Sequence, residues 1–511
     1  MAFILTALLV SVGTAVAVTP LLLRFLLARG IYGHARVKEG VEHKPVPRLG
    51  GVAVCLASSL GIVAALPVAF ADPSFQPERP AALFGGMLLA GWILFAAGVV
   101  DDLYNLPPRT KLLAQLAAAL LAWQAGFRID YFTVFGGAHA PLALRALSLP
   151  ITVLWIVGVT NAFNLIDGLD GLATGIGLVA LSTTLAVAVK LGNWEVALVC
   201  AALAGALAGF LRYNFRPARI FLGDSGSLFV GFMLAVLSVH GATKSTTAVL
   251  TVIPLLVLAL PLIDTLLAIV RRWLRGKPIF GADERHVHHR LVAIGLTHTR
   301  AAVLMFTAAA GLAMLALLIA FAPPPSVMYI AAGGGALSAG LLLFGIKRLG
   351  YHEFVEAGAA VASGASRLRR SIRDRIHARD VAQVVSTAES VEHLRAILSD
   401  NADVMGLLDV VFCRCSDADG ARGGLPAAHA AAALKVDFPI GEAGGSADPW
   451  VVRAWCDGTD PHALPDAVRT VHVLADAVRE WMVSGPRRPA PRHAEPHARG
   501  AAVLPNESPA W

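Results

Sequence analysis

This sequence predicts an all-α polytopic membrane protein of about 11 transmembrane helices with a small C-terminal cytoplasmic α+β domain. Composition is the first reason. Of 511 residues, 56% are hydrophobic and 15% charged, far too apolar a balance for a soluble globule. The second is the grouping of apolar residues into runs of roughly the 20 needed to cross a bilayer. The third is charge: cations collect in alternate connections between these runs, the bias that keeps Lys and Arg on the inner side of a membrane.

The runs lie near 1–27, 49–70, 82–100, 111–126, 145–160, 171–190, 195–211, 222–242, 247–270, 301–321 and 327–346. The fifth is short and crowded by Arg145 and Pro150, so a broken or tilted helix is expected there. Before the first run there is no Lys or Arg, whereas Arg24 and Arg29 follow its core; this favours an uncleaved span over a signal peptide, with the N-terminus outside. Alternation then puts Arg36, Lys38, Lys44, Arg48, Arg109, Lys111, Arg212, Arg216, Arg219 and Arg271 to Arg290 inside, and the C-terminal tail in the cytoplasm. The net charge of +7 reflects those loops, and no basic, aromatic-interleaved element suggests nucleic acid. The five Cys show no metal spacing and read as thiols of a reducing compartment.

Polar motifs sit at the ends of the apolar runs, all on the inner side. Polar and acidic groups at membrane depth are costly unless they pair, line water or bind ions. The strongest is Asn161-Ala-Phe-Asn164-Leu-Ile-Asp167-Gly168-Leu169-Asp170, whose polar residues recur every third position. On a helix they form one stripe; Gly168 and Gly171 could instead open the helix. Asp101-Asp102 closes the third run, and adjacent carboxylates repel unless a cation sits between them. Gly223-Asp224-Ser225-Gly226-Ser227 opens the eighth run, where free backbone N–H groups could take an anion and Asp224 could hold Mg²⁺. Lys44 and Arg48 precede Gly50-Gly51, and Lys111 follows Pro107-Pro108. His286-Val287-His288-His289-Arg290 lacks zinc-like helical spacing and suits a hydrogen-bonding clamp for diphosphate. Asp264, inside the ninth run, either lines a cavity or pairs with a nearby polar group.

Residues 351–379 read as a basic linker helix and 380–485 as a soluble α+β accessory domain: a helix near 380–399, strands near 406–415, 434–440 and 450–456, and a helix near 464–484. Residues 486–511, rich in Pro, Ala and His, are expected to be disordered.

The ordered set HKPVPRLGG, DDLYNLPPRTK, NAFNLIDGLDGLA, FLGDSGSL and HVHHRL resembles the polyprenyl-phosphate N-acetylhexosamine-1-phosphate transferases, the MraY/WecA/TagO type, over roughly residues 1–350. The His-containing loop is closer to the WecA/TagO branch, which uses UDP-GlcNAc. The resemblance implies HexNAc-1-phosphate transfer, most simply of GlcNAc-1-phosphate, from UDP-HexNAc to polyprenyl (undecaprenyl) phosphate, with UMP released. It implies Mg²⁺, with Mn²⁺ as substitute, held by Asp224 and Asn164. Asp101, Asp102, Asp167 and His288 are the implied catalytic residues. Gly168, Leu169, Asp170 and Asn214 would form a uridine pocket, with Phe221 stacked on uracil. Lys44, Lys111 and Asn164 would meet nucleotide or phosphates, and His286, His289 and Arg290 the diphosphate or sugar. A homodimer is compatible with the small-residue spans, and the C-terminal domain would serve a cytoplasmic partner of unknown kind. The rival reading is a cation- or proton-coupled transporter, since buried Asp and Asn also build ion sites. It predicts inverted repeats and mid-span polar groups, neither of which the sequence displays.

Overall fold

The computed structural model describes residues 1–32, 46–77, 80–132, 142–243, 248–274, 286–349, 368–414, 433–440, 450–457 and 463–484. Two compact units are formed, Met1–Ala268 with Ala282–Leu343, and Ile269–Gly281 with Phe344–Trp511.

The first unit is helical. Its long helices are α1 (Ala2–Arg29), α2 (Gly50–Phe70), α3 (Gly86–Tyr104), α4 (Pro108–Gln124), α5 (Ser148–Leu165), α6 (Leu172–Lys190), α7 (Trp194–Asn214) and α8 (Gly223–Thr243). Between α4 and α5 lies a two-residue antiparallel pair, β1 (Tyr131–Phe132) and β2 (Leu142–Ala143). Then follow α9 (Ala248–Val257), α10 (Ala259–Leu274), the short α11 (Val287–Ala293), α12 (His298–Phe321) and α13 (Pro324–Arg348). Among the described residues, nine helices are long and apolar enough to cross a membrane.

All eleven expected runs correspond to helix, but not all to a full span. Helix α4 has 17 residues, and the ninth run is divided into α9 and α10 around Leu258. Pro254 and Pro261 lie on either side, and each removes a backbone donor. The fifth run, by contrast, is a continuous helix after a 3₁₀ turn at Arg145–Leu147.

Helix α8 is the centre of this unit. It packs against α3, α5 and α2, and 89% of its span is buried. Helix α7 packs against α1, α6 and α2. The outer helices turn large apolar side chains outward, including Leu5, Leu9, Leu154, Leu318, Tyr329 and Phe344. An array of that extent has lipid as its natural solvent. Glycines bring the start of α2, the end of α3 and the start of α8 together. A Cβ on Gly51 would lie 2.1 Å from the Gly226 nitrogen, and one on Gly98 would lie 2.5 Å from the Asp224 carbonyl oxygen. The backbones therefore touch where a side chain would hold them apart.

The second unit carries α14 (Leu368–Val385), α15 (Val391–Asp400), β3 (Asp409–Arg414), β4 (Ala433–Ile440), β5 (Trp450–Asp457) and α16 (Ala463–Ser484). Its antiparallel sheet has the order β3-β5-β4, with Val410 opposite Ala454 and Phe438 opposite Val452. The expected strands and final helix lie within a few residues of these. The expected boundary between linker and domain does not. Helix α14 runs through it, because Ile376, Ala378, Val381 and Val385 are buried although the first two lie within the basic run. The helix expected near 380–399 is two helices, restarted by Ser390, whose hydroxyl accepts from the His393 N–H. Residues 350–367 and the tail expected to be disordered lie outside the described residues, as does Cys415.

Candidate active site

The site begins at the head of α8. Gly223, at φ +72°, turns the chain into this helix; a Cβ there would meet the Arg48 carbonyl and the Asp102 carboxylate. Backbone bonds tie the turn to the segment before α2: Phe221 N–H donates to the Pro47 carbonyl, and the Gly50 and Gly51 N–H groups donate to the carbonyls of Phe221 and Leu222. The first N–H groups of α8 were expected to be open to an anion. They are not. Asp102 takes them, its Oδ1 accepting from Asp224 N–H at 2.8 Å and its Oδ2 from Ser225 N–H at 3.0 Å. The carboxylate supplied by α3 satisfies two of the orphan donors and meets the positive end of the helix dipole.

Asp101 and Asp102 therefore act apart, as adjacent helix positions do, about 100° from one another around the axis. Asp101 accepts from the Leu106 N–H at 2.7 Å, closing the α3–α4 turn. It also meets Lys111, whose Nζ lies 2.8 Å from Asp101 Oδ2 and 2.8 Å from Asp224 Oδ2. Lys111 is placed there by Pro107 and Pro108, which start α4 just before it.

The stripe 161–170 divides as well. Asn161 exchanges two amide hydrogen bonds with Gln115, one turn along α4 from Lys111. Asn164 donates to Asp224 Oδ2 at 3.3 Å and accepts from the Ser227 hydroxyl at 3.0 Å. Its oxygen thus turns toward Ser227, and it orients Asp224. Helix α5 ends at Leu165, so Asp167 and Asp170 lie in the turn before α6, opened by Gly171 at φ +74°. Asp170 accepts from Ala218 N–H at 3.2 Å. Burial pushes the Asp167 carboxyl up to about 7, the charges of Asp224 and Asp102 adding to it and Arg48 opposing. The cluster carries surplus negative charge.

Asn214 stands elsewhere than expected. It is buried, accepting from Thr174 Oγ1 at 2.7 Å and donating to the Ile220 carbonyl at 2.9 Å, which joins α6, α7 and the loop before α8. Both ends of its amide are engaged within the fold, so a direct contact with uridine is not what its position offers. Phe221 and Leu169 are partly buried. Lys44 lies outside the described residues.

Gly168 joins the acidic turn to the histidine motif. A Cβ on it would fall 2.2 Å from His288 Nε2. His288 is buried, and neither ring nitrogen has a hydrogen-bond partner. Burial pushes its imidazole down to about 4, with His289 and His286 adding and Asp264 opposing. The ring is therefore neutral near pH 7, and His288 could serve a diphosphate clamp through one ring N–H, not as a cation. The His286 and His288 rings are parallel with centroids 5.9 Å apart, and His289 lies 4.2 Å from His288. Arg290 follows on α11.

Gln115, and the roles of Ser227 and Gly98, escaped the sequence reading. Gln115 had a signal, its position four residues after Lys111 on one helix face. The other two depend on which helices meet.

Hard oxygen donors with surplus negative charge suit a divalent cation such as Mg²⁺. Among the described residues, however, no three His, Cys, Asp or Glu side chains are gathered closely enough to hold a metal ion. Lys111 supplies the cation between Asp101 and Asp224.

Fold and site together define an integral membrane protein whose buried carboxylates gather at one end of a central helix. Residues 84–242 match glycosyl transferase family 4. A Bacillus subtilis protein described as a probable undecaprenyl-phosphate N-acetylglucosaminyl 1-phosphate transferase is 37% identical over 59% of this chain and 81% of its own length. A Mycobacterium tuberculosis decaprenyl-phosphate N-acetylglucosaminephosphotransferase is 34% identical, over 55% and 74%. A Streptococcus uberis phospho-N-acetylmuramoyl-pentapeptide-transferase is 31% identical, over 45% and 71%. The chain belongs to this family of polyprenyl-phosphate sugar-1-phosphate transferases.

Proposed function

We propose that the protein transfers HexNAc-1-phosphate, in the first instance GlcNAc-1-phosphate, from UDP-HexNAc to undecaprenyl or a related polyprenyl phosphate. UMP is released, and the polyprenyl-diphosphate-HexNAc initiates a cell-envelope polysaccharide. The carrying observation is the Lys111 ammonium held between Asp101 and Asp224, with Asp167 near enough to feel the Asp224 charge, in a chain whose relatives are named for this transfer. Three phosphates must meet during the reaction, and that charge is tolerated only among placed cations and donors.

In this reading Asp224 and Asp167 would hold Mg²⁺, and Asn164, bonded to both Asp224 and Ser227, orients Asp224. When bound, the ion neutralises diphosphate charge and withdraws electrons from the leaving UMP. Lys111 then swings between its carboxylates and substrate phosphate. The lipid phosphate oxygen attacks the sugar-bearing β-phosphate in line. A phosphate monoester has a second pKa of about 6, so it is largely ionised and needs no strong base. Asp101, already engaged by Lys111 and the Leu106 N–H, serves better to position Lys111 than to take a proton. His286, His288, His289 and Arg290 contact diphosphate or sugar, and Gly168, Leu169, Asp170 and Phe221 border the uridine. The positive-inside bias supports a cytoplasmic site, and separately a cytoplasmic second unit.

The test uses full-length protein in detergent with undecaprenyl phosphate, UDP-GlcNAc and Mg²⁺. Release of UMP that needs lipid and metal together supports the proposal. UDP-GalNAc and other UDP-sugars follow if UDP-GlcNAc is inert, and silence with all of them, in folded protein, overturns it.

A further inference from the structure

The reading above gives Asp264 no part, yet at 3% exposed on α10 it is among the most buried carboxylates of the described residues. A carboxyl removed from water to that extent needs a partner. Its two oxygens divide between two neighbouring groups. Oδ1 accepts from the Val287 N–H at 2.9 Å, fixing the start of α11. Oδ2 faces His286 Nδ1 at 3.3 Å. Both atoms are buried and neither makes a hydrogen bond as placed; the 3.3 Å approach makes each the nearest complement of the other.

We infer that Asp264 is a positioning residue that fixes the Nδ1–H tautomer of His286 and, through Val287, the start of the histidine helix. A carboxylate only accepts, so the neutral ring must present its proton on Nδ1. Nε2 is then the lone-pair nitrogen, available to substrate or to an incoming proton. The consequence extends beyond one ring. His286 lies parallel to His288, which in turn rests on Gly168 of the acidic turn. The backbone bond to Val287 and the side-chain contact to His286 together set where this whole arm meets the carboxylate cluster.

Asp264→Asn separates this role from packing. The amide oxygen stays with the Val287 N–H, and the amide NH₂ then faces Nδ1. A donor in that place makes Nδ1 the acceptor and moves the ring proton to Nε2. Size and the backbone bond are kept; the tautomer is inverted.

The inference rests on the proposed transfer for its kinetic arm, but its first test does not. Full-length protein with ¹⁵N-labelled histidine is observed by NMR in detergent at alkaline pH, and His286 is assigned by its loss in His286→Gln. The wild-type ring is expected to carry its proton on Nδ1. A wild-type ring protonated on Nε2 overturns the inference whatever the activity, and whether or not Asp264→Asn folds. In the variant the proton is expected on Nε2; an unchanged tautomer also counts against it. In turnover, Asp264→Asn should lower kcat about 10–100-fold, the range for carboxylates that orient functional histidines, with KM little changed. Added to His286→Gln, it should cost less than about 2-fold more, because residues acting as one unit are not additive. Full additivity would mark Asp264 as merely structural. If wild type turns over no UDP-sugar, the proposed transfer falls, while the tautomer still decides the inference.

Discussion

The two units handle buried charge in opposite ways. In the small unit, Arg453 is 1% exposed and meets Asp437 through two bonds, Nε to Oδ1 at 2.7 Å and Nη2 to Oδ2 at 2.9 Å. The guanidinium, helped by Lys435, outweighs burial and holds the Asp437 carboxyl below its ordinary range. At the head of α8, by contrast, Asp101 and Asp224 share the Lys111 ammonium, Asp102 is tied to backbone N–H groups, and Asp167 is pushed up to about 7. The first arrangement is locally matched. The second leaves negative charge over, which costs stability unless a cation arrives. Surplus charge that a fold retains at a cost is a mark of function.

The comparison breaks most sharply at Lys111. Lys111→Met should reduce UMP release by at least about 100-fold, by removing a donor to transferring phosphate. It should also make unfolding strongly dependent on Mg²⁺, the ion taking the place of the lost ammonium; scanning calorimetry with and without Mg²⁺ checks this. Equal metal dependence in wild type and variant would mean that Lys111 does not balance the carboxylates. Asp102→Ala comes next. It strips the cap from α8 and should cost about 1–2 kcal/mol, read as a lowered Tm.

Asp167 gives a pH signature. Its carboxyl ionises near 7 in the folded, metal-free protein and about 3.9 unfolded, so the folded state binds the extra proton between those values. Stability should therefore fall as pH rises from about 4 to 7, and Asp167→Asn should flatten that slope. Asp437 should do the reverse: its lowered carboxyl contributes stability above about pH 4 that fades on acidification through the depressed value. Asp437→Asn is the smallest effect, a lowered unfolding temperature for the small unit with UMP release within about 2-fold of wild type. A large loss of turnover there would join the two units functionally.

Much of this could be read from the residues. The apolar runs, the motif order and the strands of the small unit follow from periodicity and composition, which depend on near neighbours. The misreadings arise where remote segments decide. The open N-terminus expected for α8 is capped by Asp102, 122 residues earlier in sequence. Asn214 resembled a substrate contact but holds Thr174 and the Ile220 carbonyl, an arrangement visible only once α6 and α7 pack. Of the two readings of the stripe 161–170, the opened one holds: the helix ends at Leu165, Gly171 turns the chain into α6, and Gln115, Asp224, Ser227 and Ala218 claim its members. The split of Asp101 from Asp102 and the break at Leu258 were legible in principle, from the helical turn angle and from Pro254 and Pro261. In the small unit, the basic run 366–379 obscured the apolar positions Ile376, Val381 and Val385 that carry the helix into the core.

The central claim is that the carboxylates at the head of α8 form a divalent-cation site. Electron paramagnetic resonance of Mn²⁺ added to the full-length protein in detergent, without substrates, tests it directly. Wild type should bind one Mn²⁺ that Mg²⁺ displaces, Asp224→Asn should lose that binding, and Lys111→Met should tighten it. Equal Mn²⁺ binding by wild type and Asp224→Asn would contradict the account.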